Sequence, residues 1–89
     1  MRVEVLLFGK PRDLAGRSQE FVSIDDGANL GELFGVLGQI HGVDLANELG
    51  HPEGLIVMIN GRHFGPLGGT LAPLKDTDVV AIFPIAVGG

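Results

Sequence analysis

"NLGELFGVLGQIHG", residues 29–42, is the stretch on which the fold turns. Leu30, Leu33, Phe34, Leu37 and Ile40 recur at helical spacing and form one apolar stripe. Asn29 is placed to cap the first turn. Glu32 stands three residues on, where its carboxylate can return a bond to the Asn29 backbone. Gly42 suits the C-terminal stop. A helix with a single apolar stripe must bury it against another layer.

The flanking segments supply that layer. "RVEVLLF" (2–8) opens in alternation and then becomes continuously apolar, which predicts a strand apolar on both faces. "GKPRDLAGRS" (9–18) reads as a turn or loop, and "QEFVSI" (19–24) as a second strand hairpin-paired with the first. "VDLANELGHPEG" (43–54) reads as a connector with one short turn of helix before Gly50. "LIVMIN" (55–60) is a third strand, followed by the strong turn signal Asn60-Gly61. The glycine-rich return that follows has room for a short edge strand at Arg62–Phe64. "DVVAIFP" (78–84) is the last strand, ended by Pro84, which cannot donate to a ladder. The pattern is α+β, with one main helix packed on one face of a four- to five-stranded sheet. It predicts one domain over residues 1–89, with 85–89 as a flexible tail.

The strands carry more apolar surface than one helix can cover. Val3, Val5 and Leu7 lie on one face of the first strand, with Leu6 and Phe8 on the other. The last strand sets Val79, Ala81 and Phe83 against Val80 and Ile82. Either a loop (43–54 or 65–76) folds over the surplus face, or that face meets a partner.

Composition excludes several classes. The chain has 89 residues, no cysteine and a net charge of −5 with six Lys and Arg residues. It has no thiolate metal site or disulfide to staple it, and its charge has the wrong sign for nucleic acid. No apolar run approaches the ~18 residues of a membrane span, and residues 1–9 are too short and strand-like for a signal peptide. A cytoplasmic location is expected.

No residue set supports catalysis by this chain alone. His41, His51 and His63 have no metal-ligand spacing and read as surface or helix-end histidines, His41 complementing the helix dipole. Asp25-Asp26 and Asp76–Asp78 sit at turns. Gly31, Gly35 and Gly38 form their own stripe on the helix. That stripe reflects either a glycine-rich composition (15 glycines) or the close approach of another backbone. The last two residues, Gly88-Gly89, are either an incidental end or a tool. Without side chains they can enter a narrow channel and present a carboxylate for capture.

Taken together, "VLLFGKPRDLAG", "DDGANLGELFGVL", "LIVMINGR", "LKDTDVVAIFP" and the terminal Gly-Gly resemble the MoaD/ThiS family of ubiquitin-like sulfur carriers. The resemblance covers nearly the whole chain and implies the β-grasp fold. It implies that Gly89 is adenylated and converted to a thiocarboxylate, with Gly88 threading the enzyme's channel. It implies a non-catalytic small subunit of molybdopterin synthase, with no bound cofactor of its own and ATP used by the activating partner. The implied partners are a ubiquitin-activating-type adenylyltransferase (MoeB/ThiF-like) and a MoaE-like large subunit, with Phe8 and Phe83 on the apolar surface they meet. Where MoaD-like tails read "FPPVxGG", this chain has Ile85 in place of the second proline. Related carriers serve thiamine, cysteine or tRNA thiolation, and others are joined to lysines as protein modifiers. A plain interaction module is the remaining alternative.

Overall fold

The apolar alternation of the strands and the stripe on the helix meet in one hydrophobic core. The computed structural model describes residues 1–85. Its elements are β1 (Arg2–Leu7), α1 (Gly9–Ala15), β2 (Gln19–Ser23), α2 (Leu30–His41), α3 (Val43–Leu49), β3 (Leu55–Ile59), β4 (Arg62–His63) and β5 (Val79–Pro84). Short 3-10 turns lie at Pro52–Gly54, Gly65–Leu67 and Gly69–Leu71. The strands form one five-stranded sheet in the order β2-β1-β5-β3-β4. β1 and β5 run parallel at the centre, and the other neighbouring pairs are antiparallel. A mixed sheet wrapped on a helix in this order is the β-grasp fold.

α2 forms as its sequence dictates. The Asn29 side chain accepts from the Glu32 N–H at 2.9 Å, and the Glu32 carboxylate accepts from the Asn29 N–H at 3.2 Å. This capping box satisfies two donors that the first turn would leave open. Leu30, Leu33, Phe34 and Leu37 are buried against Val3, Val5, Leu7, Val57, Val80 and Ile82 of the sheet. Each such side chain contributes about 1.5–3 kcal/mol relative to leaving it in water. The stripe closes on His41, four residues after Leu37, and Ile40 is 56% exposed instead of buried.

Two segments depart from their sequence expectation. Residues 9–15 form helix α1, although Gly9 and Pro11 read as turn residues. Pro11 sits in the first turn, where its missing N–H would have had no intrahelical acceptor, and it is buried. Gly16 ends α1 in the left-handed conformation (φ 74°), its N–H donating to Arg12 O at 2.9 Å. The connector at 43–54 contains a full helix, α3, with Leu45 and Leu49 buried. The Arg62–Phe64 edge strand is two residues long, Arg62–His63. At the β3–β4 turn, Asn60 and Gly61 both have positive φ (52° and 81°), as a two-residue hairpin loop requires.

The glycine stripe has a structural basis at two positions. A Cβ on Gly38 would lie 2.8 Å from the Ala46 Cβ of α3, and one on Gly31 would lie 3.2 Å from Thr70 O. Both glycines let parts of this same chain approach α2 closely. Gly35 faces open space.

Candidate functional site

Among the described residues, the period-2 alternation of the strands leaves one sheet face without a covering layer. β1 turns Glu4 and Leu6 to it, and β5 turns Val79, Ala81 and Phe83. The register aligns these in rows across the sheet. Phe21, Glu4 and Val79 share one row; Gln19, Leu6, Ala81, Met58 and His63 share the next. Phe83 is paired with Ile56 in the third row and stacks on Phe8.

Neither loop covers this face. Residues 65–76 pack along the start of α2 on the opposite side. There Leu30 N–H donates to Ala72 O and Leu74 N–H to Ala28 O, both at 3.0 Å, and Ala72 and Leu74 enter the core. Residues 43–54 place Leu45 and Leu49 in that same core. The face therefore stays exposed, with Phe21 55%, Phe8 38% and Ile56 37% accessible. Its rim is polar. Arg2 lies over the Phe21 ring at 4.2 Å, and the Gln19 side chain donates to the Glu4 carboxylate.

Phe8 and Phe83 come together as a stacked pair, with centroids 4.3 Å apart and planes 7° from parallel. The parallel β1–β5 register makes them neighbours. Leu7 is paired with Ile82, and Phe8 N–H donates to Ile82 O at 3.1 Å. The stack stands at the end of β5 from which the chain proceeds to its last residues. Pro84 packs against Gly9, Ile85 N–H donates to Gly54 O at 3.2 Å, and Ile85 is 44% exposed. Phe8, Phe83, Ile56 and Ile85 thus make an apolar collar around the root of the terminal segment. Gly88 and Gly89 lie outside the described residues.

The histidines are not gathered. His51 and His63 are exposed, and among the described residues no group of three or more His, Cys, Asp or Glu side chains is arranged to hold a metal ion. His41 differs from its surface reading. Its Nε2 lies 2.7 Å from Glu20 Oε1, with the two side chains 10% and 6% exposed. This pair fastens the end of α2 to β2 on the core side of the sheet. The signal for it was present, since His41 continues the helix stripe and Glu20 takes an inward position beside Val22. Among the described residues, no helix is long and apolar enough to cross a membrane.

The chain belongs to the ThiS family, whose model matches residues 5–89. It is thereby a member of a family of ubiquitin-like sulfur carriers. No curated protein sequence matches it. Among solved structures it is similar to the HVO 2177 protein of Haloferax volcanii, with 30% identity and a TM-score of 0.84 over 100% of this chain and 87% of that one. A Pyrococcus furiosus protein described as molybdopterin converting factor, subunit 1, is 25% identical with a TM-score of 0.74, covering 94% and 97% of the two chains. A chain in the complex of subunits 1 and 2 of the Helicobacter pylori molybdopterin-converting factor is 25% identical with a TM-score of 0.64, both chains being covered fully.

Proposed function

We propose that this chain is the sulfur-carrying small subunit of a molybdopterin synthase, with the carboxylate of Gly89 as its working group. The observation that carries the reading is the apolar collar of Phe8, Phe83, Ile56 and Ile85 at the root of the terminal segment. A collar there lets an enzyme hold the folded domain while taking the following residues into its own active site. The family match runs through to Gly89, and two similar chains carry the name of the molybdopterin converting factor.

The chemistry follows from what a carboxylate lacks. It is a poor acyl donor, so it must first gain a leaving group. A carboxylate oxygen of Gly89 attacks the α-phosphorus of ATP on a ubiquitin-activating-type adenylyltransferase, and pyrophosphate departs. A sulfide-equivalent nucleophile then attacks the acyl carbon. AMP leaves with the former carboxylate oxygen, and a thiocarboxylate remains. The partner enzyme supplies the catalytic groups, while this chain supplies position and a terminus free of side chains at Gly88 and Gly89. A MoaE-like large subunit would then accept the loaded chain and pass its sulfur to the pterin precursor.

The test is intact-mass analysis after incubation with ATP, a sulfide donor and the cognate activating enzyme. The expected product shows exchange of one oxygen for one sulfur, and removal of Gly89 abolishes it. If neither adenylate nor thiocarboxylate forms, the carrier reading fails. If the thiocarboxylate forms but the loaded chain transfers no sulfur with a MoaE-like subunit, the molybdopterin assignment alone fails.

A further inference from the structure

The β2 edge of the sheet carries an arrangement that the carrier role does not use. The β1–β2 ladder is extended at its ends by Leu7 N–H to Ser18 O at 2.8 Å and by Ile24 N–H to Met1 O at 2.9 Å. Even-numbered residues of β2 therefore bond to β1. The N–H and C=O groups of Gln19, Phe21 and Ser23 point away from the sheet, and they find no backbone partner among the described residues. All three residues are exposed. β2 contains no proline and no lysine, the residues that commonly blunt a free edge. Its one inward charge, Glu20, is met by His41 at 2.7 Å and, more loosely, by Arg17 at 3.7 Å.

We propose that β2 is a self-association edge that pairs antiparallel with β2 of a second copy about a two-fold axis at Phe21. In that register residue 19 lies opposite the partner's residue 23, and 21 opposite 21, so outward-pointing groups meet outward-pointing groups along the whole strand. The same register sets Arg17 opposite Asp25 of the second copy, and by symmetry the reverse. Both residues are exposed and lie two positions beyond the ends of β2, Arg17 standing 3.7 Å from Glu20 of its own chain, a contact that the pair with Asp25 would replace or share. Opposite charges thus close each end of the pair, and the two Phe21 rings meet at its centre. A register shifted by two residues loses the end pairs and part of the overlap, while a shift by one sets the outward groups opposite residues whose own backbone groups are already bonded to β1. The symmetric spacing of Arg17, Phe21 and Asp25 selects a second copy over an unrelated peptide. The axis keeps both open faces on one side, so the two sheets join into one and leave both collars free.

The test is sedimentation of the full-length chain over a concentration series, with amide hydrogen exchange read at each concentration. The expected result is reversible growth to two copies, with added protection at the amides of Gln19, Phe21 and Ser23. Arg17→Asp and Asp25→Arg each weaken self-association about tenfold. An equimolar mixture of the two variants regains it, because each mismatched end then meets its complement. A chain monomeric at every concentration overturns the proposal, and so does a dimer whose protection falls elsewhere. A mixture that associates no better than its components also overturns it. If Arg17→Asp fails to fold, through loss of its 3.7 Å contact with Glu20, the exchange pattern of the unaltered chain decides.

Discussion

Gly35 and Gly38 are three residues apart on one helix, yet the surroundings give them opposite roles. Gly38 lies where α3 crosses, with Ala46 so close that a methyl group would force the helices apart. Gly35 faces nothing within 4 Å. Gly35→Ala is therefore expected to raise stability by about 0.5–1 kcal/mol, through helix propensity and lower unfolded-state entropy. Gly38→Ala is expected to lower it by about 1–3 kcal/mol, the range for overpacking a closed contact. Urea denaturation of both variants checks the pair, and a gain from Gly38→Ala would mean that α3 yields without cost. The sequence showed the stripe but could not show which glycine had a neighbour, because that depends on how α3 folds back.

At the scale of elements, α2 was legible because several independent signals agree in it. Asn29, Glu32, the apolar spacing and Gly42 all point to the same twelve-residue helix. α1 was hidden because Gly9 and Pro11 also suit a turn, and its helical state rests on Pro11 burying its ring and on α3 beside it, where Lys10 reaches Glu48 at 3.1 Å. Helical spacing assigns Ile40 to the buried stripe, but the stripe drifts round the helix and passes to His41, leaving Ile40 exposed. The two ends of α2 each carry a prediction. Asn29→Ala removes the acceptor for Glu32 N–H and is expected to cost about 1 kcal/mol by thermal or urea denaturation. His41→Leu leaves the Glu20 carboxylate buried without its nearest partner and is expected to cost about 1–3 kcal/mol. Adding Glu20→Gln should recover part of that loss, since the neutral amide is less costly to bury. A double variant that merely sums the two single losses would show that the pair is not coupled.

For the molecule as a whole, the sheet has one closed face and one open face, and the two answer to different tests. The surplus of apolar residues on β1 and β5 was readable from alternation alone. Which way the loops fold was not, because 43–54 and 65–76 could have reached either side of the sheet. They pack with α2, so Phe8 and Phe83 hold their stack at the surface beside the exit of β5. A ring left partly in water contributes less to folding than a core side chain and much to an interface that dries it. Replacing both, Phe8→Ala with Phe83→Ala, is expected to cost about 2–3 kcal/mol of stability, the lost burial of two partly covered rings together with their pair term. On the carrier role proposed above, binding to an activating enzyme should weaken about tenfold or more, as loss of a central aromatic anchor does. Leu37→Ala, on the closed face, should show the converse, costing about 2–5 kcal/mol of stability. Below its unfolding temperature it should bind the enzyme as the parent does. Denaturation curves and titration calorimetry separate the two cases. If the double phenylalanine variant is adenylated with an unchanged KM, the collar is not where the enzyme holds this chain.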